Sequence, residues 1–256
     1  MDPSTLIGFV ISMVALLAFM VMEGADPTSL LFLPAIILVI VATFGAAMSG
    51  QTMSDLSKMG GWFKLALMPA RIPAATEQIQ TLVSLAERAR KEGLLALEAQ
   101  VKAIEDPFLK RGLQMGIDGT DPEELRAVLE SEIAAKKAED KTAAKFMTTM
   151  GGYAPTIGIV GCIVGLMNVM GSLSDPEALG PMIAAAFVAT LWGVMAANFW
   201  FLPMGAKILR VSELQAAQME LLVEGISEIQ AGTSPRAVRL KLNSLIPPSE
   251  VAKEAA

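Results

Sequence analysis

The stretch PMIAAAFVATLWGVMAANFWFLP, residues 181–203, contains no Asp, Glu, Lys or Arg. A helix that crosses a bilayer needs about 20 predominantly apolar residues, within a range of about 17–25. Lipid offers no partner to a free backbone N–H or C=O, so such a stretch must be helical. Three more uncharged stretches lie at residues 5–22, 30–49 and 153–174. The first is near the lower length limit. Only Asp2 precedes it with a charge, and without a basic leader it reads as a retained anchor rather than a cleaved signal peptide. The chain is therefore expected to be an all-α integral membrane protein with four transmembrane helices. A helical cytoplasmic domain should separate spans two and three, and a helical tail should close the chain. The expected divisions are 1–49, 50–150, 151–203 and 204–256.

The charges give the direction of insertion. All 20 Lys and Arg residues lie either between Lys58 and Lys145 or between Lys207 and Lys253. The short connections at 23–29 and 173–180 carry only Glu23, Asp26, Asp175 and Glu177. Positive residues stay inside, most tellingly those close to the membrane such as Lys58, Lys145, Lys207 and Arg210. Both termini and the middle region are thus expected in the cytoplasm, with the chain in a bacterial inner membrane.

Composition excludes several chemistries. The 256 residues are 53% hydrophobic, above the usual range of about 45–50% for soluble domains. There is no histidine, which removes Ser-His and Cys-His dyads and imidazole metal ligands. The single cysteine, Cys162, allows no intrachain disulfide. A net charge of −6 disfavours nucleic acid as a partner. No span contains a carboxylate, which disfavours an aspartyl intramembrane protease and means that any titrating ion carrier must come from another chain. A secondary transporter would usually show more spans and inverted repeats. The reading is of a non-enzyme that needs no cofactor.

Within the middle region, 77–97 has apolar residues at mixed three and four spacing and predicts a helix. Its charged residues Arg88, Arg90, Lys91, Glu92 and Glu98 fit a solvated helix face. Asp121 and Pro122 predict the start of another helix, which Gly151 and Gly152 should interrupt. An amphipathic helix is expected over 205–230, stopped at Gly232. Ser234 and Pro235 then start a last short helix that Pro247 and Pro248 end. In the third span, Gly161 and Gly165 form a small-xxx-small pair suited to helix packing, and Asn168 needs a polar partner. Thr190 in the fourth span has two open readings, a bond to the carbonyl one turn back or a place on a pore wall. Trp200 suits an interfacial aromatic belt.

Four strings, in order, resemble the MotA family over nearly the full length. They are RARKEGLLALE at 88–98, PTIGIVG at 155–161, AFVATLWG at 186–193 with Asn198 and Leu202-Pro203, and EGISEIQAGTSP at 224–235. The resemblance implies a flagellar stator channel subunit, a homopentamer around two MotB chains whose single span brings the ion-binding Asp. It implies membrane lipid around the spans and contact with the rotor protein FliG through Arg90 and Glu98. It also implies an ion path lined by Pro155, Cys162, Thr190 and Pro203. Sodium-driven members tend to carry threonine where this chain has Cys162. A thiol suits a hard cation poorly, so protons are expected over sodium. The alternative is an ExbB- or TolQ-like energiser of outer-membrane processes, but such proteins typically have three spans and lack the Arg90–Glu98 pattern.

Overall fold

The computed structural model describes residues 3–68, 72–249 and 251, and the regular elements among them are all helical. The helices are α1 (Pro3–Met22), α2 (Leu33–Ser49), α3 (Met53–Leu67), α4 (Ala75–Glu92), α5 (Glu98–Ala103), α6 (Pro107–Ile117), α7 (Pro122–Gly171), α8 (Pro176–Met195), α9 (Leu202–Gln230) and α10 (Pro235–Asn243). A π-turn at Ala196–Phe201 joins α8 to α9, so helix runs from Pro176 to Gln230. The helices Pro3–Met22, Pro122–Gly171 and Pro176–Gln230 are long and apolar enough to cross a membrane. The apolar helix α2 is shorter, at 17 residues.

Two compact units divide the chain. One takes residues 1–70 and 140–210, the other 71–139 and 211–256. The first contains α1, α2, α3, the later part of α7, and α8. Its core gathers Val39, Trp62, Phe146, Met147, Met150 and Ile208. Phe146 is fully buried and meets Trp62 at 5.5 Å between ring centroids. The amphipathic helix α3 begins with a capping box in which Thr52 and Asp55 bond each other's backbone N–H groups. The second unit packs Ile79, Leu82, Leu97, Leu125, Leu129, Leu222 and Ile226 around α4, α6 and α9.

Several boundaries follow from local chemistry. Asp121 Oδ1 accepts from the N–H groups of Glu123 and Glu124 at 2.9 and 3.4 Å, which starts α7 at Pro122 as its sequence predicts. Gly232, at φ 69°, closes the end of α9, and Ser234 Oγ accepts from Ala237 N to open α10.

Three expectations need correction. Helix α4 stops at Glu92, because Gly93 turns the chain at φ 85° into a 3-10 turn at Leu94–Leu97. Helix α10 ends at Asn243, ahead of the two prolines. Gly151 and Gly152 do not interrupt α7, which is unbroken from Pro122 to Gly171. A helical glycine costs only about 1 kcal/mol against alanine, which packing readily offsets. At Gly151 the packing is visible, since a Cβ there would lie 2.5 Å from Leu202 Cδ2.

Candidate channel helices and charged corner

Helices α7 and α8 approach each other closely in the first unit. A Cβ on Gly158 would lie 2.7 Å from the Ala189 carbonyl oxygen and 3.1 Å from Thr190 Cα. One on Gly193 would lie 2.5 Å from the Ala154 carbonyl oxygen and 3.2 Å from Pro155 Cα. Gly165 rests on Ala186 in the same way, and Gly161 on Ala189 and Leu38. The pair Gly161 and Gly165 is thus a packing pair as its spacing predicts. The tighter contact, Gly158 on Gly193, extends the same stripe, since Gly158, Gly161 and Gly165 share one face of α7.

That crossing fixes Thr190. Its hydroxyl donates across the helix pair to the Gly158 carbonyl at 3.4 Å, not to the carbonyl one turn back on α8. Pro155 stands beside the same crossing and Cys162 two turns further along α7, half-buried and free. Pro155 and Thr190 are therefore brought together, with Cys162 on the adjoining stripe. Asn168 is exposed, and its side chain bonds no described residue.

Pro203 belongs to a different place. It opens α9 directly after the π-turn, where the Leu202 N–H reaches the Ala197 carbonyl five residues back. A proline inside an α-helix lacks the N–H and pushes against the carbonyl four residues earlier, here Phe199. The wider π-turn relieves that contact. The π-turn also aims Trp200 at Phe9 of α1, with stacked rings 5.5 Å apart, and at Trp192, 5.8 Å apart. Trp192 Nε1 donates to the Leu30 carbonyl at 2.7 Å, tying α8 to the turn before α2.

In the second unit Arg90 and Glu98 flank the Gly93 turn, one on the last turn of α4 and one at the start of α5. Both are exposed. Arg90 makes no ion pair with any described residue, whereas Glu98 accepts from Lys102 Nζ at 2.9 Å, which holds its carboxyl below the ordinary range. Arg88 pairs with Glu92 at 3.1 Å, so the helix spends its other guanidinium internally.

The string at 224–235 is explained by packing and by a half-buried ion-pair network. Glu224 accepts from Arg126 of α7 and from Lys241 of α10, and Lys241 also reaches Glu228 at 2.5 Å. Gly225 leaves room for Leu82, whose Cδ1 would lie 2.5 Å from an added Cβ. The long-range parts were not legible from spacing, because Arg126 lies 98 residues from Glu224 and Leu82 is on a different helix from Gly225.

Comparison with known proteins decides what these helices belong to. Motility protein A of Bacillus subtilis is 32% identical over the whole chain, which covers 94% of that protein. The chain belongs to the MotA family. The broader sequence profile, that of the MotA/TolQ/ExbB proton channel family, matches residues 100–221. Motility protein A of Helicobacter pylori is 34% identical over 99% of this chain and 98% of its own length. The flagellar MotAB stator complex from Bacillus subtilis contains a chain that superposes with a TM-score of 0.92 at 31% identity, covering 99% of this chain and all of that one. This membership makes the MotA-like chain a flagellar stator subunit, in a family of channel and motor components rather than classical enzymes. It also favours that reading over the ExbB- or TolQ-like one.

Proposed function

We propose that this stator subunit crosses the inner membrane four times and forms a pentamer around two MotB-like chains, using proton flow to turn the rotor. The four spans are α1, α2, the uncharged end of α7, and α8 with its π-turn. At 17 residues α2 rises about 25 Å, just short of a hydrocarbon core of about 30 Å. Both termini and the second unit lie in the cytoplasm, where the basic residues are.

The observation that carries the reading is the uncharged character of the apolar helices. The α7–α8 crossing presents a hydroxyl at Thr190, a thiol at Cys162 and proline at 155, but no residue from 153 to 174 or from 181 to 203 is acidic. A titrating Asp must then be supplied by the MotB-like partner, and this chain provides the wall beside it. A proton crossing a 100 mV potential releases about 2.3 kcal/mol, and that energy is delivered as rotation.

Arg90 and Glu98 would engage FliG of the rotor. Exposed ion pairs contribute only about 0–1 kcal/mol each, which suits contacts that must break at every step. Arg90 is exposed and unspent on its own helix, as such a contact requires.

The test is swimming speed in a stator-deleted host expressing this chain with its own MotB-like partner and cognate rotor. Speed independent of sodium at fixed pH, and abolished by a protonophore, supports the proposal. Speed that rises with sodium overturns the proton assignment and the reading of Cys162.

A further inference from the structure

Asn198 carries the only side-chain amide in the uncharged stretch 181–203. It stands inside the π-turn, and its Nδ2 donates to the Val194 carbonyl in the last turn of α8 at 2.9 Å. In an α-helix that carbonyl belongs to the backbone N–H four residues on, which is that of Asn198 itself. A side-chain donor at the same oxygen competes with the backbone one and loosens the four-residue ladder. Five residues later Pro203 has no N–H to give the Phe199 carbonyl. Two side chains thus disfavour the α-helical interval at the two ends of one turn. Between them the Leu202 N–H takes the wider, five-residue bond to Ala197.

We propose that Asn198 is a positioning residue for the candidate channel helix, holding the π-turn open so that Trp200 stays against Trp192. Annealing the turn to α-helix would remove one residue from the bulge. The helix after it would then rotate by about 100° and shift by about 1.5 Å against the helix before it. Trp200, stacked 5.8 Å from Trp192 and 5.5 Å from Phe9, could not keep both contacts. Trp192 is the link to the crossing. It precedes Gly193, whose close approach to Ala154 and Gly158 sets the α7–α8 distance, and it lies two residues beyond Thr190. Its Nε1 is spent on the Leu30 carbonyl, so the Trp200 ring and that bond together fix how α8 presents Thr190. Asn198 is itself exposed, so its amide acts through the backbone bond and not through bulk packed in the core. That this position matters to torque rests on the stator reading above, whereas the state of the turn does not.

The test compares Asn198→Ala with Asn198→Ser in the full chain, purified with its MotB-like partner in mild detergent. A helical serine can donate to the carbonyl four residues back, as Ser12, Ser131 and Ser227 do in this chain, and an alanine cannot. The readout is the near-ultraviolet circular dichroism that Trp200→Phe removes, which reports the stacked pair. An ordinary hydrogen bond is worth about a fivefold change in the ratio of π to α forms. Asn198→Ala should lower that ratio about fivefold and weaken the signal, and Asn198→Ser should restore it. In a Pro203→Ala background, where the turn has already relaxed, the Ala and Ser variants should give the same signal. Swimming speed in a stator-deleted host should fall with Asn198→Ala and recover with Asn198→Ser. An Asn198→Ala complex with the parent's signal overturns the proposal. So do Ala and Ser variants weakened alike, since bulk alone cannot tell a methyl from a hydroxymethyl, and so does an Ala–Ser difference that persists beside Pro203→Ala. The dichroism reads the turn even where the parent restores no swimming, an outcome that would count against the stator reading alone.

Discussion

Replacing Gly193 with alanine tests whether the α7–α8 crossing sets the geometry around Thr190. The new Cβ would sit 2.5 Å from the Ala154 carbonyl oxygen, and ordinary contact begins at 3.4 Å. Its other neighbours are Gly158 Cα at 3.1 Å and Pro155 Cα at 3.2 Å, backbone atoms that no rotamer change can move. The helices must separate by about 0.9 Å, the difference between the first two distances. That movement takes the Thr190 hydroxyl, already 3.4 Å from the Gly158 carbonyl, out of hydrogen-bond range. Overpacking of this kind typically costs about 1–3 kcal/mol. Gly193→Ala should lower the denaturant midpoint of the purified complex and slow swimming at normal expression. Gly60→Ala in α3 is the control, because a Cβ there meets nothing within 4 Å. It should be neutral or more stable by about 0.5–1 kcal/mol. A Gly193→Ala complex with the parent's stability and speed would refute the argument that close approach at this crossing matters.

Further predictions concern the other features. Arg90→Glu should assemble normally but lose torque, and an acid-to-base reversal on the rotor should restore part of it; bead rotation measures both. Pro203→Ala restores an N–H and removes the ring that the π-turn accommodates, so the turn should relax and separate Trp192 from Trp200, read as a weaker near-ultraviolet circular dichroism signal. The network that holds α10 should also depend on pH. Hydrogen bonds from Lys241 and then Thr233 lower the Glu228 carboxyl, so its contribution is complete above the ordinary 4.5 and is lost as pH falls through the lowered value. Hydrogen bonds to Glu224 and Glu228 raise Lys241, so its contribution is complete below the ordinary 10.5 and is lost as pH rises through the raised value. Amide exchange in α10, relative to the intrinsic rate at each pH, should therefore be slowest between those limits. Lys241→Gln should speed it at neutral pH by about 1 kcal/mol of lost protection, small because the ammonium is half exposed.

The long uncharged stretches made the apolar helices legible, because the absence of charge over some 20 residues has one physical meaning at any point in a chain. Caps at Asp121 and Ser234 were legible for the same reason, since each acts on residues two or three positions away. Contacts between distant segments were not. Gly151 reads as a breaker until Leu202 is seen against it, and Gly93 reads as a helix interior until its positive φ is known. The π-turn depends on Pro203, but the sequence does not say whether a proline at a helix junction kinks, caps or widens the ladder. Of the candidate site, the crossing brings Pro155 and Thr190 together, while Pro203 stands apart beside α1. Motif strings name such residues without saying which of them meet.

In the proposed function, ion flow through an acid supplied by a partner drives torque from this chain. Bead rotation in stator-deleted cells, recorded while this chain and its MotB-like partner are induced, measures it. The prediction is a stepwise rise in speed that is absent when the partner's membrane Asp is changed to Asn. Stepwise restoration with the Asn partner would contradict the claim.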